Sequence, residues 1–158
     1  MTYSELLQQL TVESQDNGEV FTRTNQLERI KSLLHESSYE LLYAGKLALI
    51  YGKKGVTPAK ARLLVSSHID TVYTHCFYEE TDTHWKGTFD NSATNTALLQ
   101  LMLENKIGDH VLIAFTGDEE IESRGAQEVK RWCSQQTWYP SAILVLDVTN
   151  EGWDDSVS

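Results

Sequence analysis

The sequence predicts an α/β fold, namely a three-layer α/β/α domain with a mainly parallel (mixed) central sheet. After residue 60, apolar segments of strand length alternate with segments whose apolar residues recur at helical spacing. The apolar segments are hydrophobic throughout, which is typical of strands covered by helices on both faces. The 158 residues are enough to bury a core, so we expect residues 1–158 to form one domain.

Two helices and a hairpin are predicted before this alternation begins. Residues Tyr3–Leu10 and Thr24–His35 carry apolar side chains at helical spacing. Residues Glu40–Ala44 and Lys46–Tyr51 are predicted to be strands joined by a tight turn, and we place this hairpin toward one edge of the sheet. Residues 53–60 contain glycine and proline and are predicted to be a loop.

Three apolar strands and two helices alternate in the rest of the chain. The strands are predicted at Arg62–Ser67, His110–Phe115 and Ala142–Leu146. The helices are predicted at Ser92–Asn105 and Glu122–Cys133. Strands connected through a crossover helix lie parallel in the same sheet, so the polar residues that follow them are expected at one edge.

Composition excludes some classes of partner. Thirteen lysine and arginine residues against 23 aspartate and glutamate residues give a formal net charge of -10. An acidic surface repels phosphate backbones and anionic lipid, so we expect neither a nucleic acid nor a membrane partner. The first ten residues do not resemble a signal peptide, and Cys76 and Cys133 are expected to be free thiols. We therefore expect a cytoplasmic protein.

Acidic residues or histidine follow each of the three apolar strands. His68 and Asp70 follow the first strand and, as alternate residues of an extended segment, are expected to point to the same side. Residues 118–120 (D-E-E) follow the second strand, Asp147 follows the third, and Asp90 comes just before a helix. In open α/β sheets, ligands bind at the carboxyl ends of the strands.

Each of these carboxylates also has a structural explanation of its own. Asp90 is suited to cap a helix, and Asp118 and Asp147 are suited to turns and loop starts. Glu119 and Glu120 are suited to the first turn of a helix. Several carboxylates that converge on one imidazole, however, repel one another strongly unless a cation lies between them. Imidazole and carboxylate ligands favour zinc, with manganese and cobalt as alternatives.

Four sequence motifs carry these polar residues: S-S-H-I-D-T-V, G-T-F-D-N-S-A-T, F-T-G-D-E-E-I-E-S-R-G-A and L-V-L-D-V-T. In this order they resemble the metal-site motifs of the co-catalytic two-zinc exopeptidases, which include bacterial leucyl-type, tetrahedral and glutamyl aminopeptidases. The resemblance implies a zinc-dependent hydrolase of the aminopeptidase type, which cleaves peptide or amino-acid amide bonds with metal-activated water. One or two zinc ions are implied as cofactors.

The resemblance also implies a role for each position. Asp90 would bridge two metal ions, and the peptide bond after it would be cis, which is rare without proline. Asp70 would orient the imidazole of His68. Glu119 would be the general base that takes a proton from the attacking water. The metal ligands that the resemblance implies are His68, Asp90, Glu120 and Asp147.

Two departures from the family pattern affect these expectations. Larger members insert a domain before the position that matches Asp90, whereas this chain has only residues 71–89 there, so no lid or dimerisation domain is expected at that point. The family's last ligand is a histidine downstream of the position that matches Asp147. No histidine follows His110 in this chain, which is therefore expected to be C-terminally short.

The lack of that histidine predicts one tightly bound zinc ion and a weak second site. Alternatively, an imidazole from His75, His84 or another subunit would complete the second site. The formation of a homo-oligomer is therefore an open alternative. The open alternative for function is a noncatalytic or single-metal relative that acts as a binding or assembly module.

Overall fold

The computed structural model describes residues 1–13 and 23–148. A five-stranded mixed sheet with helices on both faces forms the centre of the fold, which confirms the predicted fold class. The α-helices are α1 (Tyr3–Gln8), α2 (Thr24–Leu34), α3 (Ser92–Leu103) and α4 (Arg124–Ser134). The strands are β1 (Tyr39–Ala44), β2 (Ala48–Lys53), β3 (Leu63–His68), β4 (Tyr78–Glu80), β5 (Trp85–Gly87), β6 (Val111–Thr116) and β7 (Ala142–Leu146).

Two short segments of other helix types adjoin these helices and strands. A π-helical segment, Gln9–Glu13, continues from α1, and a 3-10 turn, Pro58–Lys60, precedes β3. Helix α1 starts with a capping box, in which the Thr2 hydroxyl accepts from the Glu5 amide and the Glu5 carboxylate accepts from the Thr2 amide. This reciprocal pair satisfies amides that the first helical turn leaves without partners.

The strand order in the large sheet is β1-β2-β6-β3-β7. Strand β3 pairs in parallel with β6 and β7, whereas β2 pairs antiparallel with β1 and β6. The β1–β2 hairpin therefore lies at one edge, as predicted, and β7 lies at the other. The parallel pairing brings the carboxyl ends of β3, β6 and β7 to the same side of the sheet, where the predicted site residues follow.

Two apolar cores fill the space between the sheet and the helices. Alternate side chains of the inner strands point to opposite faces, so neighbours such as Leu49 and Ile50 belong to different cores. One core lies under α1, α2 and α3 and includes Leu27, Leu99 and Phe115. The other lies under α4, and its members are Ala48, Ile50, Ala61, Leu64, Leu112, Ala114, Val129 and Cys133.

A small second sheet lies within residues 71–89 and is absent from the sequence prediction. It consists of the antiparallel pair β4 and β5. The Trp85 ring stacks on Tyr3 with ring centroids 5.4 Å apart, and its indole N–H donates to Glu80 over 2.9 Å. The stacking holds the hairpin against α1, and the hydrogen bond connects its two strands.

Strand β7 is apolar, but its side chains are largely exposed among the described residues. The side chains of Ile143 and Val145 are 65% and 68% exposed. Within the described residues, β7 pairs with β3 only, and side chains of α4 and β7 face each other across open space. An apolar groove of about 330 Å³ therefore lies between α4 and β7.

None of the helices in the described ranges is both long and apolar enough to span a lipid bilayer. Cys76 and Cys133 are free thiols, as predicted.

Candidate metal centre

Three strand ends and one helix start bring the predicted site residues together. His68 is the last residue of β3, and Asp147 directly follows β7. Glu119 and Glu120 follow β6, and Asp90 lies two residues before α3. Because β6, β3 and β7 are neighbours and run in the same direction, the residues that follow them meet at the carboxyl ends of these strands.

The two ring nitrogens of His68 face different partners. Nδ1 lies 3.3 Å from Asp70 Oδ1 and 3.1 Å from the Asp70 backbone oxygen. Nε2 lies 3.2 Å from Asp90 Oδ1 and 3.2 Å from Asp147 Oδ1. Both the imidazole and the Asp70 carboxylate are buried, whereas Asp90 and Asp147 are partly open to solvent. The open side leaves room for a ligand.

The spacing and chemistry of this cluster fit a divalent cation. At zinc bond lengths, two tetrahedral nitrogen and oxygen ligands lie roughly 3.4 Å apart. The 3.2 Å separations from His68 Nε2 to Asp90 and Asp147 are close to this value. In addition, Asp90 Oδ1 is buried and has no hydrogen-bond partner among the described residues. The donor set of one imidazole and two carboxylates is one that zinc accepts.

A second cluster contains the two glutamates. Ligand atoms of His68, Glu119 and Glu120 all lie within 4.8 Å of one another. The loop that carries the glutamates is tied to the first cluster, because the Glu120 amide donates to Asp70 Oδ2 over 2.9 Å. Asp70 thus contacts both the imidazole of His68 and the backbone of the glutamate loop.

The crowding of acids changes the proton affinities of the site. Burial by itself lowers the pKa of His68, but hydrogen bonds and charges from Asp70 and Asp147 raise this pKa to about 9. Burial raises the pKa of Asp90, and the neighbouring acids Asp147 and Glu120 raise it further, against the opposing effect of His68. Burial and the charge of Glu119 raise the pKa of Glu120. Both acids therefore favour a nearby cation.

Two of the structural explanations for these acids do not agree with the backbone. Helix α4 begins at Arg124, so Glu119 and Glu120 lie before its first turn and do not belong to it. The N-cap residue of α3 is Asn91, not Asp90, and its side chain makes no capping hydrogen bond. The peptide bond between Asp90 and Asn91 is cis, as the family resemblance predicts.

Asp118 retains its structural explanation as a turn residue. Its φ is 54°, in the left-handed region that aspartate tolerates in turns. Its backbone oxygen accepts from the amides of Ile121 and Arg124, which closes the loop after β6. Glu122 and Ser123 also have positive φ, at 58° and 51°. Such strain is common where a loop must present side chains in one arrangement.

His75 and His84 join neither cluster. Both are exposed, and His84 Nδ1 lies 2.9 Å from the Thr83 hydroxyl in the β4–β5 hairpin. In residues 1–13 and 23–148, no group of potential ligands close enough to hold a metal ion contains either histidine. The alternative in which one of them completes a second site within the chain therefore has no geometric support among the described residues.

Asn91 and Asn95 are also buried beside the cluster, and they are not among the site residues predicted from the sequence. Their i, i+4 spacing places both amides on one face of the helical segment, and this spacing was the available signal. Asparagine near a helix start is ordinarily interpreted as a capping residue, which hides this signal.

Comparisons with known proteins agree with this architecture. The sequence model of Peptidase family M28 matches residues 48–157, more than half of the chain. No curated protein matches the chain in sequence. The crystal structure of aminopeptidase PepT from Bacillus cereus ATCC 10987 is similar in fold, with a TM-score of 0.61 and 18% sequence identity. The match covers 94% of this chain and 42% of the solved one, so the chain spans less than half the length of that aminopeptidase.

Proposed function

Because the chain belongs to peptidase family M28, we propose that it is a zinc-dependent exopeptidase-like hydrolase of the aminopeptidase type. Its substrates in this proposal are peptides or amino-acid amides. The observation that carries the proposal is the convergence of His68, Asp90 and Asp147, with Nε2 of the imidazole 3.2 Å from an oxygen of each carboxylate. Three protein ligands with an open side are typical of a catalytic zinc site.

His68, Asp90 and Asp147 would hold the first ion, with Asp70 fixing the imidazole from its other side. A bound zinc ion supplies Lewis acidity, which lowers the pKa of a water molecule and polarises a carbonyl group. Within the described residues, His68 is the only imidazole in either ligand cluster. A second ion between Asp90 and Glu120 would therefore have carboxylate ligands alone and bind more weakly.

Glu119 is the proposed general base. Its carboxylate lies within 4.8 Å of the ligand atom of His68, and so within reach of a water molecule at the cluster. Positioned proton acceptors contribute about 10²–10⁴-fold to the rate of such reactions. Glu119 would accept the proton of the attacking water and then deliver it to the leaving amine.

The test combines metal analysis with a peptidase assay on the purified chain. We expect one tightly bound zinc ion per chain and weak hydrolysis of an aminoacyl amide, because the described residues supply only carboxylates for the second ion. Replacement Glu119→Gln removes the base and no ligand of the first ion, so it should reduce turnover about 10²–10⁴-fold while zinc content stays at one.

Glu122→Gln is the matched control, because the same change is made on an exposed side chain of the same loop that joins neither ligand cluster. It should leave turnover and zinc content unchanged. Turnover that survives Glu119→Gln would contradict the role of the base. Zinc that stays bound after His68→Ala would contradict the metal centre.

A further inference from the structure

Three buried polar side chains, Ser67, Asn91 and Asn95, lie behind the candidate metal centre, and we call them the strand-end clamp. Their exposed fractions are 0%, 2% and 0%. The Ser67 hydroxyl donates to Asn95 Oδ1 over 2.6 Å and accepts from Asn91 Nδ2 over 3.0 Å. The hydroxyl thus fixes the orientation of both amide groups.

The amide groups of the clamp contact the ends of two strands. Asn91 Nδ2 lies 3.2 Å from the backbone oxygen of His68 and 3.3 Å from that of Leu146. Asn95 Nδ2 donates to the same His68 oxygen over 2.8 Å. One side chain, Asn91, therefore connects the end of β3 to the end of β7.

These contacts begin where the backbone pairing stops. The parallel pairing of β3 with β7 ends at Ser67 and Leu146. His68 and Asp147, the two ligands that these strands carry, each lie one residue beyond that last pair. Without another connection, no backbone ladder would fix the distance between them. Asn91 supplies this connection, and it also follows the third ligand, Asp90, in the chain.

We propose that the strand-end clamp fixes the separation of the three segments that carry the metal ligands, and that it thereby sets the metal affinity. This proposal rests on the proposed function. The amide nitrogens of Asn91 and Asn95 donate to the Ser67 hydroxyl and to strand-end backbone oxygens, not to the side chain of any proposed ligand. Their effect on metal affinity would therefore come from positioning the ligands, not from binding the ion. Groups that orient metal ligands commonly contribute 10–100-fold to metal affinity.

The position of a neighbouring polar residue distinguishes the clamp from ordinary helix packing. Thr96 is also fully buried on α3, but its hydroxyl donates to the Ser92 backbone oxygen within the same helix over 2.6 Å. Thr96→Val preserves shape and removes a buried hydrogen bond that does not reach the strand ends. It is therefore the matched control for loss of a buried polar contact.

The experiment measures Co²⁺ binding by absorption spectroscopy in wild type, Asn91→Ala, Ser67→Ala and Thr96→Val, each in the full chain. We expect Asn91→Ala to raise the Kd for Co²⁺ about 10–100-fold and to shift the ligand-field bands, because the ligand separation changes. Ser67→Ala, the milder variant, should raise the Kd by less, since both amides remain. Thr96→Val should bind Co²⁺ as wild type does.

A metal-free measurement separates this proposal from the proposed function. In the apo protein, hydrogen exchange of the segment 142–148 should be faster in Asn91→Ala than in wild type and unchanged in Thr96→Val. Wild-type affinity and spectrum in both Asn91→Ala and Ser67→Ala would overturn the clamp while leaving the metal centre intact. If wild type bound no Co²⁺, the proposed function and the effect of the clamp on metal affinity would both fail. Faster exchange in Asn91→Ala would then support only the part of the proposal in which the clamp positions β7, and unchanged exchange would overturn that part too.

Discussion

Nδ1 of His68 faces two oxygens of the same residue, Asp70: the carboxylate Oδ1 at 3.3 Å and the backbone oxygen at 3.1 Å. Nε2 faces two acceptors as well, Asp90 and Asp147, which agrees with the raised pKa of about 9 and a proton on each nitrogen of the metal-free imidazole. A metal ion bound by Nε2 would replace the proton there, and the acceptors at Nδ1 would keep the other proton in place. A carboxylate behind a ligating histidine fixes the tautomer in this way and makes the imidazole a stronger ligand.

Replacement Asp70→Asn should therefore weaken metal binding. We expect the zinc affinity to fall about 10–100-fold, because the amide no longer attracts the Nδ1 proton with a negative charge. Competition with a chromophoric chelator measures the affinity. Asp82→Asn is the control, since Asp82 is exposed in the β4–β5 hairpin turn. Equal affinities of the Asp70→Asn and Asp82→Asn variants would contradict the role of Asp70.

The stability of the metal-free protein should depend on His68 and decrease at high pH. The folded-state pKa of His68 is about 9 and its ordinary value is 6.5, so the folded protein holds this proton more tightly. The stabilisation is fully present below pH 6.5 and is lost as the pH rises through 9. This contribution to the free energy of unfolding is on the order of 3 kcal/mol.

Denaturant unfolding of wild type and His68→Gln, with chelator present, measures this contribution. The difference between their free energies of unfolding should be larger below pH 6.5 than above pH 9. Asp90 and Glu120 have raised pKa values, and their contributions also decrease as the pH rises, but in the acid range. A difference that is constant with pH would contradict the charged state of His68.

Metal affinity should change with pH in the opposite direction. A metal ion binds the neutral imidazole, so below pH 9 it displaces the His68 proton. The apparent affinity should rise about tenfold per pH unit as the pH approaches that value. Calorimetry in buffers of different ionisation enthalpy should detect about one proton released per ion at neutral pH. Proton release that is absent in wild type would contradict this linkage.

Gly125 is expected to be essential for the position of the glutamate loop. A Cβ atom at this residue would lie 2.3 Å from the Gly117 backbone oxygen and 2.8 Å from that of Leu47. Gly125→Ala must therefore displace the loop that begins at Gly117, which should cost about 1–3 kcal/mol of stability. Gly108→Ala is the control, because a Cβ there meets nothing within 4 Å. Thermal unfolding compares the two, and equal melting temperatures would contradict the close approach.

The positions of the larger helices and strands could be predicted because their apolar side chains form runs or recur at a regular spacing in the sequence. The apolar run that begins at Leu63 predicts a strand over Arg62–Ser67, and the strand observed is Leu63–His68. Strands β4 and β5 were missed because each has three residues, too few to show an alternation. Hydrophobicity also gave no sign that β7 lies at the edge of the sheet, since its sequence A-I-L-V-L has the composition of a central strand.

For the site, the family resemblance identified the residues that converge, and the geometry adds what connects them. His68, Asp90 and Asp147 lie within reach of one ion, although their separations in sequence are large. The i, i+4 spacing of Asn91 and Asn95 does not by itself reveal their role, because that role depends on the positions of the His68 and Leu146 backbone oxygens. Such contacts arise only once β3 and β7 are paired.

The exposed edge of β7 has a thermodynamic consequence for Asp147. In the described part of the chain, the outer side of β7 pairs with no other strand, and Asp147 directly follows it. A polypeptide that added a strand there would order the residue that follows β7 as well. Two binding events that share one element are coupled by the same factor in both directions. Zinc loading of this chain would then increase with protein concentration if copies associate through β7, and zinc would strengthen that association to the same extent.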